Sequence, residues 1–116
     1  YEAAYPHYLA AADLAIHEGN LQMGYEYYDT LLKLDLSNTL LAQAALSYAQ
    51  SALYAQDLTK AHHQLRVAEA WIAICADEAR IPLQASHDQI MLELQQLALD
   101  KADAEVKPDL QSSSRA

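Results

Sequence analysis

The sequence predicts an all-α domain, on three observations. Ala and Leu dominate, while two Gly and three Pro occur in 116 residues, a composition that supports long helices over tightly turned sheets. Thr39 to Gln56, TLLAQAALSYAQSALYAQ, carries no charged side chain and as a helix spans about five turns. Elsewhere apolar residues recur at steps of three and four, the period of a helix with one buried face. In an acidic chain the uncharged run belongs at the centre of the fold, covered around most of its circumference and polar only along Gln43, Ser47 and Gln50.

The length suits one domain whose core holds without disulfides or metal. Seven Lys and Arg against 16 Asp and Glu leave a formal charge of -9. Those basic residues are scattered, which argues against a nucleic-acid surface. The uncharged run is long enough to span a bilayer, but its glutamines and its alanine content make insertion weak. Cys75 is the only cysteine and reads as a reduced core thiol, since no basic neighbour activates it. A cytoplasmic location is expected. The start at Tyr1 fits either a processed product or a piece of a longer chain, and a removed signal sequence would leave no trace.

The first helix reads as Tyr1 to Glu18, with Pro6 in its first turn, Gly19 closing it, and Tyr5, Tyr8, Leu9, Ala12, Ala15 and Ile16 on one face. Asn20 caps a second helix to about Leu34, burying Leu21, Gly24, Tyr28, Leu31 and Leu32. Gly24 on that face predicts close approach of a neighbour. Asp35 to Asn38 forms a turn before the uncharged third helix. Asp57 caps a fourth from Leu58 to about Ala79, striped by Leu58, Ala61, Leu65, Ala68, Ile72, Cys75 and Ala79, with Val67, Trp71 and Ile74 on a second side. Arg80-Ile81-Pro82 marks a break before a fifth helix, which starts at Pro82 or at the capping-box-like Ser86 to Gln89. Ile90, Met91, Leu94, Leu97 and Ala98 face inward from it. The segment 105–116, with its proline and serine run, is expected to be a disordered tail.

The chain also repeats itself. Glu18-Gly19-Asn20-Leu21 aligns with Ala55-Gln56-Asp57-Leu58, and then Gly24 falls on Ala61, Tyr28 on Leu65, Leu31 on Ala68 and Ala12 on Ala49. This helix–turn–helix unit resembles the tetratricopeptide (TPR) repeat. In the first unit Tyr8, Ala12, Gly19, Gly24, Tyr28 and Leu31 take the signature positions, followed by EYYDTLLKLDLSN. The second keeps Ala49, Ala61, Leu65 and Ala68. Leu36 stands where the family usually has proline, Ala15 replaces a common aromatic, and the units exceed the family period by about three residues. The resemblance implies a short right-handed array of about five helices over residues 1–104: antiparallel hairpins at about 5–38 and 39–79, and a capping helix at about 82–104. A non-repeat helical bundle needs small residues at the same crossings and remains the alternative.

The resemblance further implies that the first helix of each hairpin lines a concave surface for a partner. Carried over position by position, that surface comprises Leu9, Asp13, Ile16 and His17 from the first unit and Gln43, Leu46, Gln50, Leu53 and Tyr54 from the second. It offers amides and apolar area without Lys or Arg. Such a surface suits a protein or peptide segment with apolar anchors rather than an acidic tail. The glutamines read equally as the solvated stripe of an amphipathic helix. The expected role is a non-catalytic interaction module, an adaptor, scaffold or chaperone, with a homo-oligomeric scaffold through Trp71, Ile74 and the fifth helix as the alternative. All eight Tyr lie within the first 54 residues while Phe is absent. Tyr5, Tyr8 and Tyr28 read as core rings with exposed tips, and Tyr25, Tyr27 and Tyr54 as interface residues.

No cofactor, metal site or catalytic residue is expected. His62 and His63 are adjacent and point about 100° apart on a helix. No HExxH, EF-hand, P-loop, GxSxG or Glu-x-x-His pattern occurs.

Overall fold

Residue chemistry places most helix ends. The Asn20 side chain accepts from Met23 N at 3.3 Å, Ser37 Oγ from Leu40 N at 3.3 Å and Asp57 Oδ1 from Lys60 N at 3.2 Å, each satisfying an amide that a helix start leaves free. The computed structural model describes the backbone of residues 2–115 and the side chains of residues 2–105. Its elements are α1 (Tyr5–His17), α2 (Leu21–Lys33), α3 (Asn38–Tyr54), α4 (Leu58–Ala73) and α5 (Asp77–Arg115), an all-α fold without strands among the described residues. No helix among these residues is long and apolar enough to cross a membrane.

The two hairpin turns are built alike. Gly19 (φ 87°) and Gln56 (φ 61°) both adopt the left-handed conformation. Gly19 N donates to Ile16 O at 3.1 Å and Gln56 N to Leu53 O at 2.9 Å; Asn20 N donates to Ala15 O and Asp57 N to Ala52 O, both at 2.9 Å. This left-handed helix stop is followed directly by a capping side chain, and it recurs at equivalent aligned positions. The sequence repeat is therefore also a repeat of backbone geometry.

The third turn lies elsewhere than the sequence suggested. Instead of running to Ala79, α4 stops at Ala73, and α5 begins at Asp77 rather than at Pro82 or Ser86. Asp77 and Glu78 occupy the first turn of α5, where carboxylates favour the positive end of the helix dipole. Arg80 Nη2 reaches back to Cys75 O at 2.9 Å and Ala73 O at 3.4 Å, satisfying carbonyls freed at the end of α4. Pro82 is the sixth residue of α5, so the helix continues through a position that lacks an amide donor. The expected flexible tail at 105–116 falls almost wholly on residues whose side chains lie outside the described set.

The uncharged run becomes α3, and ten of its 17 residues are buried. Its two sides serve two cores. Ala44 and Tyr48 pack with Ala12, Ile16, Tyr28 and Leu31 from α1 and α2. Ala42, Ala45, Ala49 and Ala52 meet Ala61, Leu65, Ala68 and Ile72 of α4 and Leu83, Ile90 and Leu94 of α5. The helices α1 and α2 pack on each other and on α3, while α5 packs on α3 and α4. No backbone contact joins the α1–α2 hairpin to α5 among the described residues. Each unit touches only its neighbour, as in a stacked array.

Gly24 lies in the α1–α2 contact, as its place in the apolar stripe predicted. A Cβ there would stand 2.5 Å from Ile16 Cδ1, 2.7 Å from Ile16 Cγ1 and 3.2 Å from Ala12 O. Cys75 is buried in the α4–α5 turn, its thiol 3.2 Å from Trp71 O. His87, also buried, joins α5 to α4 through Glu69 Oε1 at 2.8 Å.

Candidate functional site

Three helices, α1, α3 and α5, lie side by side along one face, with α3 in the middle. A cavity of about 330 Å³ opens between α1 and α3, lined by Asp13, His17, Ser47, Gln50, Ser51 and Tyr54. Two more follow between α3 and α5. One of about 480 Å³ is lined by Leu46, Ser47, Gln50, Ala85, Ser86, Gln89 and Ile90; one of about 350 Å³ involves Thr39, Gln43, Leu46, Ala79, Pro82, Leu83 and Ser86. Ser47 and Gln50 border the first two and Leu46 and Ser86 the last two, so the cavities adjoin one another in a row along α3, a groove in three parts. No Lys or Arg lines any of them.

The structure divides the nine expected groove residues by burial. His17, Gln43, Gln50 and Tyr54 are exposed and Asp13 is half-buried; all five line the groove. Leu46 lines it as well while only 5 % exposed, a floor more than a contact. Ile16 and Leu53 are buried in the two cores, and Leu9 packs half-buried against the α1–α2 side. None of these three lines a cavity of the groove. Ser86 and Gln89 of α5, with Thr39, Ser47 and Ser51 of α3, add further polar lining. The α5 contribution stayed hidden because its helix starts a turn or more earlier than its proline suggested.

Asp13 is held by a network spanning three helices. Its Oδ1 accepts from the hydroxyl of Tyr28 on α2 and, at 3.1 Å, from Ser51 Oγ on α3, while the two hydroxyls lie 2.8 Å apart. Tyr28 is fully buried, tip included, rather than a core ring with a wet end. Burial, and then its bond to the Asp13 carboxylate, hold the phenol protonated well above its ordinary range, against a smaller opposing effect of Ser51.

Beside it, Tyr28 and Tyr48 stack at 4.8 Å between ring centroids and 12° between planes, and Tyr25 lies 5.4 Å from Tyr48. Tyr48 donates to Asp29 at 3.1 Å and Tyr25 to Asp57 at 2.9 Å. Lys60 Nζ sits 5.2 Å and 5.7 Å from the two ring centroids, within cation–π range. Burial first, then the neighbouring carboxylates, raise both phenols. Tyr25 is thus engaged between repeats, while Tyr54, 59 % exposed, keeps its surface and lies 4.4 Å from the His17 ring.

Gln50 Nε2 donates to Glu93 Oε2 at 3.3 Å, tying the centre of the groove to α5. Among the described residues no group of three or more His, Cys, Asp or Glu is arranged to hold a metal ion. Comparison with family models, with curated proteins and with solved structures finds no match to this chain.

Proposed function

We propose that this chain is a non-catalytic interaction module of TPR-like architecture that holds a protein or peptide segment along the α1–α3–α5 groove. The observation that carries the reading is the row of three adjoining cavities along α3, whose rim of exposed Gln43 and Gln50 and half-buried Ser47 carries no charge. Amide side chains both donate to and accept from a peptide backbone, and the Leu46 floor supplies apolar area. The matched turns at Gly19 and Gln56 support the repeat. Adaptor, scaffold and chaperone roles all use such a groove.

The test is selection of peptides from a random display library on the intact chain, followed by Ser47→Arg combined with Gln43→Ala. Gln43 is exposed and Ser47 half-buried but open to two cavities, so helicity is retained while the selected peptides lose about tenfold or more in affinity, the equivalent of ~1.4 kcal/mol. Equal binding by the variant, or no selected peptide, overturns the reading. Leu53→Ala would mislead, because it opens the core.

A second reading, a homo-oligomeric scaffold, is favoured by α5. Ile81, Leu92 and Leu99 are 74 %, 62 % and 62 % exposed and lie within about 20° of one another around the helix, opposite the packed face. Two α5 helices paired antiparallel about a two-fold axis at Leu92 bring Leu99 of one copy onto Ala85 of the other, a self-complementary seam. Light scattering then shows a concentration-dependent dimer that Leu92→Glu dissociates. A monomer at all concentrations rejects it.

A further inference from the structure

The α1–α3 cavity differs in chemistry from the rest of the groove. Asp13 Oδ1 is taken by Tyr28 and Ser51, but Oδ2 has no hydrogen-bond partner among the described residues. The amide nitrogen of Gln50 is given to Glu93, which leaves its Oε1 to accept. The ring of His17 contacts a carbonyl, Asp13 O, through Nδ1 at 2.8 Å; a carbonyl only accepts, so Nδ1 carries a proton, and the neutral form of that tautomer presents Nε2 as an acceptor. Ser47 adds a hydroxyl and Tyr54 an exposed aromatic face. The cavity is therefore rich in acceptors, holds one carboxylate and one aromatic ring covered by His17 on one side and otherwise exposed, and is lined by no Lys or Arg.

We propose that this cavity takes the guanidinium of an arginine side chain from the bound segment. The group fits on three counts. It has five N–H donors and no acceptor, so it meets Asp13 Oδ2, Gln50 Oε1 and His17 Nε2 without leaving a lone pair opposed. Its plane stacks on an aromatic ring, which an ammonium does less well. Its charge complements a chain of net charge -9. The anchoring of Asp13 by two hydroxyls from other helices keeps the carboxylate in place before the ligand arrives, so little ordering is needed on binding. The inference rests on the groove reading for where the arginine comes from, but the cavity itself is tested apart from it.

The experiment is an NMR titration of the full chain with N-acetyl-arginine methylamide and, in parallel, N-acetyl-citrulline methylamide, which keeps the shape and loses the charge. The arginine probe shifts the amides of Asp13, Ser47, Gln50, Ser51 and Tyr54 saturably, and the citrulline probe binds about tenfold more weakly or worse. Tyr54→Ala weakens the arginine probe roughly two- to fivefold, while Tyr54→Phe retains it. Asp13→Asn abolishes the preference for arginine over citrulline; since Asp13 also joins three helices, the exposed Tyr54 pair keeps the test valid if that variant melts. Equal shifts from both probes, or arginine shifts spread over the acidic surface, overturn the proposal. Selected peptides that bind without arginine leave the groove standing and remove the arginine pocket; a localised arginine response with no selectable peptide does the reverse.

Discussion

Asp13, Tyr28 and Ser51 come from three helices and meet at one carboxylate oxygen. A carboxylate half out of water is tolerable there because two hydroxyls satisfy it. The phenols of Tyr25, Tyr28 and Tyr48 are all raised above their ordinary value of 10.0 by burial and adjacent carboxylates. The folded state then keeps protons that the unfolded state releases above pH 10, so stability is intact below that pH and falls as pH rises beyond it. Denaturant titrations across this range are expected to show a loss that Tyr28→Phe reduces; a flat profile contradicts the buried network. Gly24→Ala is a second test at this scale. Alanine is the better helix former by about 1 kcal/mol, but its methyl would overlap Ile16, and overpacking costs typically 1–3 kcal/mol. Denaturation should show a net loss of stability, partly rescued by Ile16→Val. Glycine in an apolar stripe was a visible signal of close packing. The Asp13 network was not, since Asp13 and Ser51 are far apart in sequence and neither is unusual on its helix.

At the scale of elements, the two hairpin turns use one conformation with different residues. Gly19 enters the left-handed region without a steric penalty, whereas Gln56 adopts it at φ 61° with a side chain. Opposite outcomes follow. Gly19→Ala should lower stability by about 1 kcal/mol, and Gln56→Gly should raise it by a few tenths to 1 kcal/mol after the entropy of an added glycine. The contact of Lys101 Nζ with Gln56 O, at 3.0 Å, is to backbone and survives the change. Thermal melts of the two variants moving in the same direction would contradict equivalent turns. The aligned motif and the capping residues Asn20 and Asp57 showed both turns in the sequence. The α4–α5 turn was obscured because Pro82 attracts the break to itself, while the residues that make the turn, Asp77, Glu78 and Arg80, act through the helix dipole and a side-chain cap on carbonyls five and seven residues back. An earlier start for α5 is also what brings Pro82, Leu83 and Ser86 against α3 and extends the groove.

At the scale of the molecule, α3 is the shared wall of two cores, and the α1–α2 hairpin packs on α3 with only the Tyr25 side chain reaching Asp57 and Lys60 at the start of α4. In a nearest-neighbour array, end units open before the centre. Native-state hydrogen exchange is expected to show α1 and α2 exchanging together through a partial opening, with α3 and α4 protected to the global limit. Uniform protection across all helices would mean that the structure unfolds as one unit.

The amino-acid sequence by itself determined the all-α class, the starts of α2, α3 and α4, the paired turns and the central place of the uncharged run, whereas α1 begins at Tyr5 rather than at Tyr1. These follow from local chemistry: caps, left-handed stops and a 3.6-residue apolar period. Only the tertiary structure decided which of the expected groove residues keep an open surface and which are buried in the fold. Ile16 and Leu53 were expected in the groove but are 2 % and 7 % exposed, because neighbouring helices close over them, while Leu46, 5 % exposed, remains as its floor. Periodicity states that a side chain faces inward; how far two helices stand apart states whether any surface remains. The same spacing left Asp13, His17, Gln50 and Tyr54 open around one cavity, a grouping across α1 and α3 that no stretch of sequence contains.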